Sequence, residues 1–142
     1  MDVFSYIKDN VFVKLGVSRV HGVGVFALRD IKPGTDLFQP WRGATGRYKI
    51  SEDQLLLLSK PLYRHIKDIF LYGPDFPKDT STYITLTNDC HWIYTTPYYY
   101  INSGGDNSNV DKDTYKSIKF IKEGEELLSN YGRYERLPKD LL

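Results

Sequence analysis

The stretch IKEGEELLSNYG, residues 121–132, decides how the rest of the chain is read. It sets Gly124 ahead of two acidic residues, Glu125 and Glu126, and follows them with ELLSNY, a strand-like run ending on Tyr131. Adjacent strand residues point to opposite faces, so the two glutamates are expected to fix the turn and a strand edge rather than to act as an acid–base pair. Upstream, from Thr82 onward, TYITL, HWIYTT, PYYYI and SIKFI have the same strand-like texture. Near the N-terminus VFVKLGV (11–17) and VGVFAL (23–28) carry β-branched and aromatic residues, and DIKPGTDLF (30–38) puts a Pro-Gly turn before another short strand. Between these blocks the period changes. Ser51 with Gln54 makes a capping-box start, and Leu55, Leu58, Leu62, Ile66 and Ile69 then fall near one helical face. Pro61 has no backbone donor, so a kink is expected there, or a second helix that starts near it. The pattern predicts an α+β, mainly β domain, with a helical insert over about residues 48–73 between two β-rich blocks.

Composition bounds the function. A chain of 142 residues is one domain of ordinary size, with enough chain to bury a core. Its net charge of +1 lacks the basic excess of a dedicated nucleic-acid binder, so no direct nucleic-acid partner is expected. No apolar run approaches the roughly 18 residues of a membrane span, and MDVFSYIKDN lacks the basic flank and apolar centre of a signal peptide. A soluble, intracellular protein without a membrane partner is expected. Cys90 is the single cysteine, which excludes an internal disulfide. Cys90 and His91 with His21 and His65 match no common zinc spacing, and no metal is expected. Twelve tyrosines are the compositional oddity.

Three separated elements resemble one family, the SET-domain protein lysine methyltransferases. SRVHGVGVFALRDIKPGTDLF resembles the family's opening, YINSGGDNSNV its central Asn-His-Ser-x-x-Pro-Asn segment, and IKEGEELLSNYG its closing Gly-Glu-Glu-Leu-x-x-x-Tyr-Gly. Their order along the chain matches as well. The resemblance implies a single SET domain over residues 1–142, its core at about 11–132 and a tail at 133–142, built from several small curved sheets with a C-terminal pseudoknot. The size resembles the compact SET proteins of viruses and bacteria. The implied cofactor is S-adenosylmethionine, and the implied reaction is methyl transfer from its sulfonium to a neutral lysine amine of a protein or peptide, plausibly a histone tail. Positioning and desolvation then supply most of the acceleration. A histone substrate would imply the nucleus, or a host nucleus; any other substrate would imply the cytoplasm.

Carried onto matching positions, the resemblance gives Gly22, Val23 and Gly24 to the cofactor's methionine end, where the absence of a side chain allows close backbone approach. It gives Asn102 a hydrogen bond to the cofactor's amino-acid end, Ser103 the position of the family's histidine, and Tyr131 the catalytic place beside the transferred methyl. An aromatic channel for the substrate lysine would draw on Tyr83, Tyr94, Tyr99, Tyr100 and Tyr134. Tyr98 and Tyr100 would share one strand face, with Tyr99 on the other. Arg42, Arg47, Lys49, Lys60, Arg64 and Lys67 crowd the helical part and read as a solvated face, or, as the resemblance implies for this insert, as one wall of the substrate groove with a weak acidic or nucleosomal contact.

The central segment departs from the family pattern. Serine stands at 103 for histidine and at 108 for proline, and the spacing from Asn102 to Asn109 is one residue longer than the common form. Gly104 and Gly105 are expected to absorb that residue in a bulge or turn. These departures sustain a second reading, a SET-like binding or scaffolding module that kept the fold and lost turnover. Many relatives close the lysine channel with a Cys-rich module, and residues 133–142 contain no cysteine. Tyr134 and Leu137 folding back, or the second subunit of a homodimer, would supply that wall.

Overall fold

The computed structural model describes residues 2–70, 72–86 and 100–130. The chain divides into two compact units, each assembled from two stretches of sequence: residues 1–12 with 38–96, and residues 13–37 with 97–142.

The first unit opens with a helix that the sequence reading did not anticipate, α1 (Val3–Asn10). Asp2 caps it by accepting from the Ser5 backbone N–H at 2.8 Å, and Val3, Tyr6 and Ile7 form its buried face at helical spacing. The Tyr6 hydroxyl donates to the Gln39 carbonyl at 2.6 Å, and its ring packs 5.2 Å from that of Trp41. Trp41 donates through Nε1 to the Ala44 carbonyl at 3.1 Å, and a Cβ at Gly43 would lie 2.0 Å from the indole, so only glycine fits there.

Residues expected to begin the helical part instead form β3 (Gly46–Ile50), antiparallel to β4 (Thr82–Leu86), with Tyr48 opposite Ile84. The ladder with β4 satisfies their backbone groups and overrides any helical pattern. Helix starts only after Ser51, whose hydroxyl accepts from the Gln54 N–H at 3.2 Å and caps α2 (Glu52–Leu55). A second helix, α3 (Lys60–Ile69), begins with Pro61 in its first turn, where the missing N–H leaves no bond unmade. Leu55, Leu58, Leu62 and Ile66 are buried as the periodicity required, whereas Ile69 is exposed.

The second unit holds one mixed sheet in the order β1-β2-β6-β5. Strands β1 (Val13–Val17) and β2 (Val23–Ala27) form a hairpin, with Val13 opposite Ala27 and Val17 opposite Val23. Strand β6 (Glu126–Ser129) runs antiparallel to β2, and β5 (Asn102–Ser103) runs parallel to β6. The expected strand in residues 30–38 reduces to isolated bridges, Ile31 to Ile121 and Asp36 to Lys116, as does SIKFI. Two turns of similar form flank them, with Gly34 at φ +81° and Gly124 at φ +88°, a conformation that favours glycine. Val25, Ala27, Ile31, Leu37, Ile121 and Leu127 are among the buried side chains of this unit. The chain beyond Asn130, on which the expected pseudoknot depends, lies outside the described residues.

Candidate functional site

All three segments that carry the family resemblance contribute to the sheet of the second unit, and they converge on one side chain, Asn102. Its Nδ2 lies 3.0 Å from the His21 carbonyl, 3.2 Å from the Val23 carbonyl, 3.0 Å from Glu126 Oε2 and 3.0 Å from Ser18 Oγ. Carbonyl and carboxylate oxygens only accept, so this end of the amide must be the nitrogen, and Oδ1 points the other way. Two amide hydrogens therefore face four oxygens, of which Glu126 also meets the Ser18 hydroxyl, and Ser18 Oγ the Val20 and His21 N–H groups.

The other members hold this arrangement in place. The Ser18 hydroxyl reaches both oxygens of Glu126 at 2.8 Å, and Ser18 Oγ accepts from the Val20 backbone at 2.9 Å. Ser18 N–H also donates to the Gly22 carbonyl at 2.8 Å, closing the hairpin loop with Gly22 at φ +47°. Nothing lies within 4 Å of where a Gly22 side chain would start, so bare backbone is presented there. Gly24 is the opposite case: a Cβ would sit 2.5 Å from Glu126 Oε2, so its hydrogen makes room for the carboxylate.

Asn109 is 4% exposed and works as a substitute strand. Its Nδ2 donates to the Glu126 carbonyl at 3.0 Å and its Oδ1 accepts from the Leu128 N–H at 2.8 Å, while its own backbone N–H donates to the Leu128 carbonyl at 2.9 Å. A carboxamide reproduces the donor and acceptor of a peptide group, which is why Asn suits this position. The extra residue between Asn102 and Asn109 is absorbed at the two glycines: a 3-10 turn spans Gly105–Asn107, Gly105 has φ +54°, and the Ser108 hydroxyl donates to the Gly105 carbonyl at 2.7 Å. Gly104 is fixed by packing, since a Cβ would lie 2.7 Å from that of Leu128.

The structure thus brings together Gly22, Val23, Gly24 and Asn102. Ser103 follows on β5, opposite Ser129, and Tyr100 stands exposed before it. Tyr83 belongs to the first unit, on β4, under the Arg47 guanidinium at 5.2 Å. Tyr94, Tyr99, Tyr131 and Tyr134 lie outside the described residues, as do Cys90 and His91. Sequence reasoning missed Ser18, Asn109 and the side-chain role of Glu126. Glu126 does begin a strand, yet its carboxylate is the centre of the network. Ser18 and Glu126 are 108 positions apart, so no local pattern links them.

The basic crowd of the first unit is not a uniform solvated face. Lys67 lies 3.0 Å from Glu52, donates to Thr82 Oγ1 at 3.2 Å and sits 4.1 Å from the Tyr72 ring centroid. Tyr63 donates its hydroxyl to Glu52 at 2.5 Å. That hydrogen bond, with Lys67 beside it, holds the Glu52 carboxyl below the usual range. Burial works against the Lys67 charge, but Glu52 and Tyr72 together outweigh it and hold the ammonium above its usual range. Lys49 pairs with Asp79 at 2.5 Å.

No protein-family model matches the chain, and no curated protein matches it. Among solved structures it is similar to the methyltransferase domain of human PR domain-containing protein 2, at 23% identity and a TM-score of 0.41 over 95% of this chain and 87% of that one. It is also similar to a candidate histone methyltransferase of Plasmodium falciparum, at 18% identity and a TM-score of 0.39 over 87% of this chain and 96% of that one. A third likeness is to a chain of the Chaetomium thermophilum Polycomb Repressive Complex 2, at 26% identity and a TM-score of 0.42, over 87% of this chain and 15% of that one. The first two are described as methyltransferases. At these TM-scores the likeness adds no weight to a functional assignment, which stands on the contacts around Asn102.

Proposed function

We propose that the chain is an S-adenosylmethionine-dependent methyltransferase of the SET type that acts on a lysine side chain of a protein or peptide. The observation that carries this reading is the gathering of the His21 and Val23 carbonyls, Ser18 and Glu126 around Asn102. The Glu126 carboxylate beside two backbone carbonyls, with no cation paired to it among the described residues, suits a ligand that brings an ammonium, and the cofactor's amino-acid end has one. The bare backbone at Gly22 would admit the methionine chain, and the outward Oδ1 of Asn102 offers a further acceptor.

When bound, the cofactor supplies a methyl group on a cationic sulfonium. The chain's part is positional: the β1–β2 loop, β2 and β6 fix the acceptors, β5 presents the Asn102 amide that Glu126 and Ser18 hold, and Asn109 ties β6 in register. Burial of the target lysine favours its neutral amine over a free value of roughly 10.4. The family pattern assigns Tyr131 to the transfer itself. A histone tail is the favoured substrate, with a nuclear site of action.

Ser103 in the place of the family's histidine favours a second reading, a SET-like binding or scaffolding module that kept the fold and lost turnover. Titration calorimetry with S-adenosylmethionine and with its demethylated product tests the site. Silence at millimolar concentration would remove the enzyme reading. Mass spectrometry after incubation with histones and with total lysate separates them: single-methyl mass steps on lysine, reduced or redistributed by Tyr131→Phe, support the enzyme. Binding with no methylated product supports the module. Products in lysate but not on histones keep the chemistry and move the substrate away from chromatin.

A further inference from the structure

The sequence LLLL at 55–58 is divided by its own geometry. Leu55 and Leu58 are buried, while Leu56 and Leu57 are 62% and 73% exposed on the turn between α2 and α3. Two adjacent leucines in water gain nothing from being there, and each forgoes much of the stabilisation that burial of such a side chain supplies. Beside them lies a cavity of about 340 Å³ lined by Leu56, Leu58, Lys60, Tyr63 and Arg64. Tyr63 directs its hydroxyl to Glu52, so the polar groups left at the rim are the two cations.

Those cations differ from Arg47, Lys49 and Lys67 of the same unit. Lys49 and Lys67 are in ion pairs, and Arg47 lies over the Tyr83 ring. Lys60 and Arg64 are exposed, and among the described residues neither is in an ion pair. Asp68, one helical turn beyond Arg64, is not paired with it, and Asp53 on α2 is likewise exposed and unpaired with either. Positions 60 and 64 are i and i+4 on α3, so the two charges line one edge of the cavity at the spacing of one helical turn.

We propose that this turn is a docking surface for a short amphipathic helix from another protein, one with an apolar side chain to enter the cavity and carboxylates a turn apart to meet Lys60 and Arg64. The apolar floor supplies affinity and the unpaired cations select for acidic partners. A second copy of this chain fits less well, because a two-fold contact would bring the same cations to both sides of one interface. This surface lies wholly in the first unit and does not depend on the methyltransferase reading.

The test uses the full chain and a fluorescent synthetic helix of about 15 residues, with leucines on one face and glutamates beside them. Two companion peptides replace the glutamates by glutamine or by lysine. Anisotropy should show saturable, micromolar-range binding of the acidic peptide, weakened at least about tenfold by the glutamine replacement and by Lys60→Glu with Arg64→Glu together. The double reversal should in turn favour the lysine peptide. Leu56→Ala should weaken binding about fivefold without changing circular dichroism or the thermal midpoint, since the residue is exposed. Equal binding of the three peptides overturns the proposal, as does no binding at millimolar peptide. Unchanged affinity in the double variant also overturns it. So does concentration-dependent dimerisation, or association with phosphatidylserine vesicles, that Leu56→Ala abolishes while leaving peptide binding intact.

Discussion

The two units use half-buried polar groups in opposite ways. In the first, Glu52, Tyr63, Lys67 and Thr82 satisfy one another: an acid meets a cation and a hydroxyl, and the cluster links α2, α3 and β4. In the second, Asn102, Ser18 and Glu126 gather backbone carbonyls from a hairpin loop around a carboxylate that, among the described residues, has no cation beside it. A closed cluster of matched charges fixes packing. One whose carboxylate lacks a cation, beside exposed glycine backbone, is suited to receive a cationic ligand. The contrast teaches that a polar network is read for function from its imbalance, not from its size.

That contrast can be broken or sharpened by substitution. The largest effect is expected from Asn109→Leu in the second unit, which removes both side-chain bonds to β6 and strands the buried groups they satisfied. Stability should fall by about 3 kcal/mol in urea unfolding. A loss below about 1 kcal/mol would show that β6 does not need its substitute strand.

Next comes Lys67→Met, which keeps the stem and removes the charge. It leaves Glu52 half-buried with one hydroxyl partner, and stability should fall by about 2 kcal/mol while cofactor affinity stays within about twofold. A selective loss of cofactor binding would mean that the first cluster is not merely structural.

Asn102→Ala reverses this pattern. Cofactor affinity should drop at least tenfold, about 1.4 kcal/mol, by calorimetry, with a smaller change in thermal midpoint. Glu126→Gln should fall between wild type and Asn102→Ala, because a neutral amide still accepts from Ser18. Affinity that survives Asn102→Ala would place the ligand elsewhere.

The smallest effect is on acid stability. Glu52 titrates lower in the folded chain than its ordinary value of 4.5, so its stabilisation is present above that value and fades as acid carries the pH down through the lowered folded value. Tyr63 is raised from 10.0 by its bond to Glu52, so its contribution is present below that value and is lost as the pH rises through the raised one. Unfolding free energy measured against pH should therefore hold level near neutrality, and Lys67→Met should reduce the step on the acid side.

Much of the local structure was legible. The Ser51–Gln54 pair and the leucine period marked a helical stretch and Pro61 a kink or a second start, of which the chain takes the second, because caps and proline act within a few residues. Gly104 and Gly105 located the turn that absorbs the extra residue, because only glycine takes φ near +54° freely. Other signals were present but went unread: Asp2 before Val3, Tyr6 and Ile7 is a capped amphipathic turn, and it opens α1. Strand β3 was hidden because alternation in GRYKI acquires meaning only beside TYITL, more than thirty positions away. The closing and opening motifs were identified one by one, yet Ser18 and Glu126 carried no mark of their partnership.

By itself the sequence determined which residues turn, cap and span, and which three segments resemble a SET site, because those properties depend on neighbours a few positions apart. Tertiary structure alone decided that the Asn102 amide faces four oxygens, that Asn109 stands in for a strand, and that Lys67 is paired while Lys60 and Arg64 are left with water. Hydrogen bonds and ion pairs are set by distance in space, and the partners here are brought together by strand order rather than by position along the chain.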